Sequence, residues 1–316
     1  MRYSGSPIEK IRAFFEKHRT AGEIIFLLIL FSCLYLCWQI GRSYEVRRIQ
    51  ENPETVNYSA DDPVTDSSYL EITPVDLTDR SNSMTEMHFD SGMTDGKETV
   101  EISEGGDYCL SGSLNGVIHI STKDQIVHLY LNGFDLVSGG GPAILCENAD
   151  KLVITLMEGT ENSVSDSGDY RGYDDAEACI TSESDITING TGILNVNGYY
   201  KDAIRSKDIL KILSGTIAIR CKRNAVYGND GILVHGGKLT VSSEKYGFRT
   251  VSKGAEGRGN LIITGCEMNL IAGRYGFVTE KADLYIYNCA IVCHNVMGIC
   301  DTGGNAYIEE NCVDEH

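Results

Sequence analysis

Basic and tyrosine side chains recur at regular distances in the second half of the chain. Each lies two residues before or two residues after the first member of a pair made of a small and an apolar residue, such as Ala203-Ile204. The side chains at these offsets are Lys201, Arg205, Arg223, Tyr227, Lys245, Arg249 and Arg274. Arginine donates forked hydrogen bonds to carboxylates, and tyrosine offers a flat stacking face. The set therefore predicts a binding track for an anionic polymer.

The same basic residues have a simpler interpretation. Acidic neighbours such as Asp202, Asp208 and Glu244 could neutralise them. Like charges stacked on neighbouring strands repel one another, so such partners would be needed in the absence of a ligand. On the sequence alone, the binding track and the neutralised surface remain alternatives.

Aspartates form a second regular series, near the start of the segment that follows each small-apolar pair. They are Asp150, Asp185, Asp208, Asp230 and Asp283. Such side chains either hydrogen-bond their own turns or together bind calcium, which prefers several oxygen ligands. Residues 158–177 add further carboxylates, Asp166 among them, without the spacing of an EF-hand loop.

These residues share a geometry only if the chain forms a repeating structure. The small-apolar pairs begin at Ala143, Cys179, Ala203, Ala225, Gly247, Gly276 and Gly298. With two insertions, 158–177 and 252–259, set aside, they recur about every 22 residues. Two alternating segments follow each pair, for example "ILKI" and "GTIAI". Alternation with period two indicates half-buried strands, and three short strands per repeat predict one coil of a solenoid.

We therefore predict an all-β, right-handed, single-stranded parallel β-helix, with coils from about Glu101 to Cys312 in a domain spanning 96–316. Seven residues fall near one turn, where a left-handed backbone would require Gly or Asn: Gly190, Gly192, Gly215, Gly237, Gly265, Asn288 and Asn311. Equivalent residues of successive coils lie about 4.8 Å apart, so the basic set would form one strip. Leucine-rich repeats and β-propellers fit less well, since their consensus and period differ.

An uncharged segment precedes this domain. Residues 24–40, "IIFLLILFSCLYLCWQI", come close to the length that crosses a bilayer and predict one transmembrane helix. More Lys and Arg precede the segment than follow it, which favours a cytoplasmic N-terminus, residues 1–23, and an extracellular C-terminal domain at the cell membrane. A cleaved signal peptide is the alternative, but no Ala-x-Ala site follows.

Residues 41–95 are polar and acidic, and they predict a flexible stalk. Within them, "YLEIT", residues 69–73, could form a strand that pairs with the first turn of the domain.

Composition excludes some functions. Beyond residue 48 the chain has 19 Lys and Arg against 41 Asp and Glu, a net charge of −22, which argues against a nucleic-acid partner. The same part holds nine scattered cysteines without a CxxC pair. This pattern favours buried thiols over a disulfide framework or a zinc site.

Three segments resemble a known family. "ADKLVITLMEGTENSVSD" (149–166), "ITINGTGILNVNGYYKDAIRSKDILKI" (186–212) and "GNDGILVHGGKLTV" (228–241) look like the bacterial carbohydrate-binding-domain family of cell-surface parallel β-helix proteins. The resemblance covers roughly residues 101–251. It implies a pectate-lyase-like fold, binding of cellulose or acidic plant polysaccharide, and bound calcium.

The resemblance also bears on the metal ligands. Asp150, Asp166, Asp185 and Asp208 match motif positions of the family, which implies that they bind the calcium. The family usually has Asp-Gly-Ile or a close variant at the small-apolar pairs. Here these places read Asp202-Ala203-Ile204, Asn224-Ala225-Val226 and Tyr246-Gly247-Phe248, so an acidic ligand is missing from two of three coils.

The favoured function is a membrane-anchored, extracellular, non-catalytic carbohydrate-binding protein. One alternative is a calcium-dependent polysaccharide lyase, with Lys201, Arg205 or Lys207 as candidate bases, although nothing in the sequence singles out one of them. The other is a structural or adhesive surface protein, which the apolar, Cys-rich final coils would suit.

Overall fold

The computed structural model describes residues 68–90, 98–252, 257–295 and 297–315. These residues contain 25 β-strands and one short 3-10 helix, Ser68–Leu70. None of their helical structure has the length and hydropathy that a membrane span requires. The predicted transmembrane segment, 24–40, lies outside the described residues.

The strands follow one another with short connections. The first seven are β1 (Thr85–Phe89), β2 (Glu98–Ile102), β3 (Gly106–Ser121), β4 (Ile126–Val137), β5 (Ile144–Asn148), β6 (Lys151–Leu156) and β7 (Glu161–Ser165). The next nine are β8 (Ala178–Ser182), β9 (Asp185–Gly190), β10 (Ile193–Gly198), β11 (Asp202–Ser206), β12 (Ile209–Ile212), β13 (Thr216–Cys221), β14 (Asn224–Gly228), β15 (Gly231–His235) and β16 (Lys238–Ser243). The last nine are β17 (Tyr246–Thr250), β18 (Leu261–Thr264), β19 (Glu267–Ala272), β20 (Tyr275–Thr279), β21 (Leu284–Tyr287), β22 (Ala290–Asn295), β23 (Gly298–Thr302), β24 (Ala306–Ile308) and β25 (Val313–Glu315).

The pairing of these strands is that of a solenoid. From β5 to β22 each strand pairs in parallel with the third strand after it, as β5 does with β8, β8 with β11 and β11 with β14. Three strands therefore make one coil, and each coil stacks on the next. The prediction of an all-β, parallel, β-helix-like fold is confirmed.

The register reproduces the repeat read from the sequence, with one exception. Ile144, Ile180, Ile204, Val226, Phe248, Phe277 and Cys300 lie opposite one another on β5, β8, β11, β14, β17, β20 and β23. The predicted small-apolar pair of the last coil, Gly298-Ile299, is therefore one residue early. The prediction that 158–177 is wholly an insertion is also wrong, because β7 pairs with both β4 and β10.

The turn residues behave largely as predicted. Gly190, Gly215, Gly237, Gly265, Asn288 and Asn311 all have positive φ. Gly192 is not among the positive-φ residues, and a different constraint acts there: a Cβ would lie 2.4 Å from the carbonyl oxygen of Met157. Close stacking of two coils thus requires glycine at this position.

Apolar side chains fill the interior of the coils. The rows of Ile, Leu, Val and Phe that the register aligns are buried, and Phe248 and Phe277 stack with ring centroids 5.7 Å apart. The small member of the pair Gly247-Phe248 has a packing reason. A Cβ on Gly247 would lie 2.5 Å from the carbonyl oxygen of Gly276 and 2.7 Å from a methyl carbon of Leu270.

Residues 69–80, which we call the N-terminal strap, pack against the outside of several coils. Leu70 is buried in a cluster with Ile209, Leu233 and Ile262. Asp76 is fully buried and bonds Lys151 Nζ at 2.8 Å and Lys211 Nζ at 2.9 Å.

The prediction of a flexible stalk over 41–95 is therefore wrong for residues 68–90. Residues 69–73 contain part of a 3-10 helix and no strand, and β1 instead pairs with β3. Apolar burial and ion pairs with distant coils hold this acidic segment in place, and no short window of sequence reveals those contacts.

Candidate functional site

The structure brings the predicted basic strip together on one side of the solenoid. Arg205, Tyr227 and Arg249 lie opposite one another on β11, β14 and β17. In the turns just before these strands, the amide of Arg223 donates to the carbonyl of Lys201 at 2.8 Å. The amide of Arg274 donates to the carbonyl of Lys245 at the same distance. The seven residues, which we call the basic strip, therefore occupy adjacent coils.

Two carboxylates neutralise most of the charge in the first half of the basic strip, which consists of Lys201, Arg205 and Arg223. Asp202 is fully buried. It accepts hydrogen bonds from Arg223 Nε at 2.7 Å, Arg223 Nη2 at 2.7 Å and Arg205 Nη1 at 3.0 Å. Glu177 accepts from Lys201 Nζ at 2.9 Å and from Arg223 Nη2 at 3.0 Å. We call this group the anchored half, because its cations are held by protein carboxylates.

Electrostatics in the anchored half favour the charged forms. Hydrogen bonding from Arg223, aided by Lys201, lowers the pKa of Glu177 to about 2. Hydrogen bonds to Asp202 and, to a smaller extent, to Glu177 raise the pKa of Arg223 above its usual range. Charge-assisted hydrogen bonds of this kind are short and directional, so the guanidinium groups have fixed orientations.

Tyr227 does not offer the predicted stacking face. The guanidinium carbon of Arg205 lies 3.8 Å from the centroid of the Tyr227 ring, and Tyr227 is buried. Burial raises the pKa of Tyr227, although the nearby Arg205 and Arg249 oppose this effect. A cation above an aromatic face is attracted by the ring, so the ring orients Arg205 instead of contacting a ligand.

The second half of the basic strip, which consists of Lys245, Arg249 and Arg274, is more open. Lys245 and Arg274 are exposed. Tyr246 is half-buried, and its ring centroid lies 5.4 Å from the guanidinium carbon of Arg249 and 5.9 Å from that of Arg274. Arg274 donates to the Tyr246 hydroxyl at 3.3 Å, and Arg249 pairs with Glu280 at 2.5 Å. Among the described residues, none accepts a hydrogen bond from Arg249 Nε. We call this group the open half.

The sequence interpretation missed three residues of the site: Glu177, Tyr246 and Glu280. Glu177 lies two residues before Cys179, at the same offset as the basic residues, so extending the series by one coil would have found it. Tyr246 lies opposite Asn224 in the register. Of the proposed neutralising neighbours, Asp202 acts as predicted, whereas Asp208 lies near Arg258 instead.

The four predicted calcium ligands do not come together. Asp166 is buried, and its carboxylate accepts from the amides of Gly168 at 3.0 Å and Tyr199 at 2.8 Å and from the Tyr170 hydroxyl at 3.0 Å. These bonds occupy the oxygens that calcium would need. Asp150 is exposed and lies at a turn.

Asp185 and Asp208 are closer to each other, on adjacent coils. Burial raises the pKa of both, with Asp208 adding to the effect at Asp185 and Asp230 adding to it at Asp208. Asp185 accepts from the amide of Ile209 at 3.1 Å. Arg258 lies 3.7 Å from Asp208 and 3.0 Å from Asp230.

The donor set is therefore a poor fit to calcium. In the part of the chain that the structure describes, no three His, Cys, Asp or Glu side chains form a group able to hold a metal ion. Calcium binding stays a prediction from the family resemblance.

The candidate lyase bases are engaged in ion pairs. Lys201 and Arg205 contact the carboxylates of the anchored half, and Lys207 pairs with Glu183 at 2.5 Å. A base must lose its proton, and a neighbouring carboxylate favours the charged form of Lys or Arg. The pKa of Lys201 is accordingly raised, mainly by its hydrogen bond to Glu177.

The stacked three-stranded coils place the molecule among parallel β-helix-like proteins. A solved structure of a polysaccharide lyase-like protein from C. thermocellum, a gadolinium derivative, matches with a TM-score of 0.69. The match covers 73% of this chain and 99% of that chain at 24% identity, and it supports the fold.

The family model for carbohydrate-binding domain-containing proteins matches residues 96–302. This chain belongs to that family, which confirms the resemblance seen in the sequence. A relative of the same description in Acetivibrio thermocellus is 31% identical over 136 residues. The match takes in 41% of this chain and 47% of the relative, so it spans about half the relative's length.

Proposed function

We propose that this protein is a non-catalytic carbohydrate-binding protein whose basic strip binds an acidic polysaccharide. The observation that carries the proposal is the open half, where Arg249 and Arg274 lie near the half-exposed ring of Tyr246 and Lys245 is exposed beside it in the sequence. An aromatic ring stacks on a sugar face, and guanidinium groups bind carboxylates through forked hydrogen bonds.

Charge supports an acidic ligand over a neutral one. The basic strip has six Lys and Arg, and the structure pairs them with three carboxylates, those of Glu177, Asp202 and Glu280. The excess of positive charge lies on a chain whose net charge is −18. A local field of this sign attracts a polyanion to one face while the rest of the surface repels it.

The geometry supports an extended ligand. Equivalent residues on neighbouring coils are about 4.8 Å apart, so a polymer lying along the solenoid meets a new cation at each coil. The anchored half would provide oriented but largely neutralised donors, and the open half would provide most of the attraction.

The proposal extends to the whole chain. Residues 24–40 would anchor the protein in the cell membrane, and a right-handed solenoid would project into the extracellular space. This location would give the basic strip access to polysaccharide outside the cell.

A binding experiment tests the proposal. The full-length chain is titrated with polygalacturonate and, separately, with soluble cellulose fragments, each with and without a calcium chelator. We expect binding to polygalacturonate that weakens roughly tenfold in Arg274→Ala, because a hydrogen bond to a charged group contributes about 1.5 kcal/mol or more. Release of an unsaturated product that absorbs in the ultraviolet would instead support a lyase.

The matched control is Arg220→Ala. Arg220 is exposed on β13, a strand that carries no residue of the basic strip, and its loss changes the net charge by the same amount. Equal losses of affinity in both variants would contradict a localised site. Absence of binding to any polysaccharide, with retention of a protein partner, would favour the adhesive alternative.

A further inference from the structure

Three cysteines form a column in the last coils, apart from the basic strip. Cys266, Cys289 and Cys312 each follow a residue with positive φ, namely Gly265, Asn288 and Asn311. They therefore occupy the same turn in successive coils.

The first two thiols of the column face each other. The amide of Gly265 donates to the carbonyl of Asn288, and the amide of Ala290 donates to the carbonyl of Cys266, both at 3.0 Å. These bonds flank the pair and hold Cys266 opposite Cys289, with their sulfur atoms 3.7 Å apart. Neighbouring parallel chains are about 4.8 Å apart, within the Cα separation of about 4.4–6.8 Å that a disulfide spans.

The two thiols differ in access and in acidity. Cys266 is buried, whereas Cys289 is half-buried. The Cys266 thiol donates a hydrogen bond to Cys289 Sγ, which lowers the pKa of Cys289 and raises that of Cys266. The more accessible sulfur is thus also the more readily ionised one, and the thiolate is the nucleophile in thiol–disulfide exchange.

Cys312 is placed differently. Its Sγ accepts a hydrogen bond from the backbone amide of Cys289 at 3.3 Å, and its thiol donates to a Glu309 carboxylate oxygen at 3.4 Å. Burial raises the pKa of Cys312. Burial and the hydrogen bond to Glu309 favour the protonated thiol of Cys312 and outweigh the opposing effect of the Cys289 amide, so this residue is the weaker competitor for Cys289.

We propose that Cys266 and Cys289 are a modification site. Exchange with a small organic disulfide oxidises the two cysteines to a Cys266–Cys289 disulfide, which links two neighbouring coils. The Cys289 thiolate attacks one sulfur of the organic disulfide and displaces the other as a thiolate, which takes up the proton that Cys289 released. Cys266 then loses its proton and attacks Cys289 Sγ, which expels the second small thiol. Two protein thiols are oxidised, and one small disulfide is reduced to two thiols.

The cross-link would fasten the last coils. It would join residues of adjacent coils near the end of the described solenoid, where fewer coils contribute packing. A disulfide restricts the unfolded chain, so oxidation should raise the thermal midpoint. This inference does not depend on carbohydrate binding.

Peptide mapping tests the proposal. The full-length chain is incubated with oxidised glutathione, its remaining thiols are blocked with iodoacetamide, and the unreduced digest is analysed by mass spectrometry. We expect a peptide linked between Cys266 and Cys289, lost in Cys266→Ser and Cys289→Ser and retained in Cys312→Ser. The rise in thermal midpoint on oxidation should be lost in the same two variants.

Three results would overturn the proposal. These are a bond between Cys289 and Cys312, glutathione retained on Cys289 without the second exchange, and no reaction of either cysteine. Peptide mapping of the oxidised wild-type protein distinguishes these outcomes even if a serine variant fails to fold.

Discussion

Arginine has two different roles within the basic strip. Arg223 bonds two carboxylates, one of them the fully buried Asp202. Arg274 is exposed and contacts a tyrosine hydroxyl and ring. The first guanidinium mainly stabilises the fold, and the second is available to a ligand.

Alanine substitutions should separate the two roles. We expect Arg223→Ala to lower the free energy of unfolding by about 1–3 kcal/mol. Asp202 would lose its forked partner but keep Arg205 Nη1 and both the amide and Nδ2 of Asn224 as donors. Arg274→Ala should change it by less than about 0.5 kcal/mol. Denaturant unfolding of both variants measures the difference, and equal destabilisation would contradict the assigned roles.

The pH dependence of stability follows from Glu177. Its pKa falls from 4.5 to about 2 on folding. A lowered folded-state pKa stabilises the protein above the unfolded value, and this contribution is lost as the pH falls through the folded value. Stability should therefore decline between about pH 4.5 and pH 2, and Glu177→Gln should reduce that decline.

Thermal midpoints measured across this pH range check the prediction. Glu183→Gln is a suitable control, because Glu183 is exposed and pairs with Lys207 outside the basic strip. An identical acid dependence in the wild type and in Glu177→Gln would contradict the assignment.

At the scale of elements, the N-terminal strap joins separate coils through one carboxylate. Asp76 bonds Lys151 on β6 and Lys211 on β12, and the Thr187 hydroxyl on β9 donates to it at 2.6 Å. These hydrogen bonds lower the pKa of Asp76 against the effect of burial, which is the largest single influence and raises it. The strap therefore depends on an ion-paired cluster as well as on Leu70.

Removing this carboxylate should release the strap. We expect Asp76→Ala to destabilise the protein by about 3–5 kcal/mol, because the buried Lys211 would lose its counterion. Hydrogen exchange in residues 69–80 should rise more than exchange in β14. Asp79→Ala is the control, since Asp79 is exposed on the same segment. Unchanged exchange in the strap of Asp76→Ala would contradict this account.

The elements differ in how far their sequences predict them. Period-two alternation and the Gly or Asn turn positions predicted the coils, because each coil repeats the same local constraints. The strap was missed because its stabilising partners lie far away in sequence, as Asp76 and Lys211 do. The last small-apolar pair was placed one residue early because Gly298 also fits the small-residue pattern.

At the scale of the whole molecule, the stacking of the coils determines which residues lie together in the basic strip. The offsets in the sequence predicted which cations share a face, and the register agrees for Arg205, Tyr227 and Arg249. The sequence could not predict which of these side chains are already engaged. Whether a side chain is engaged depends on its orientation. Arg205, for example, stacks on the Tyr227 ring, and Arg249 forms an ion pair with Glu280.

The uneven charge of the molecule predicts a salt dependence. A local positive strip on a chain of net charge −18 should bind polyanions more weakly as ionic strength rises, because exposed charges are screened beyond about 8–10 Å at physiological salt. We expect a several-fold loss of affinity for polygalacturonate between low and physiological salt. Titrations at several salt concentrations measure it, and affinity that is independent of salt would argue against an electrostatic site.

Covalent footprinting of arginine tests the binding site most directly. The full-length chain is treated with phenylglyoxal in the presence and absence of polygalacturonate, and the modification of each arginine is quantified by mass spectrometry. We expect the polymer to slow modification of Arg249 and Arg274 while Arg220 on β13 reacts at an unchanged rate. Binding that protects Arg220 and leaves Arg274 fully reactive would contradict it.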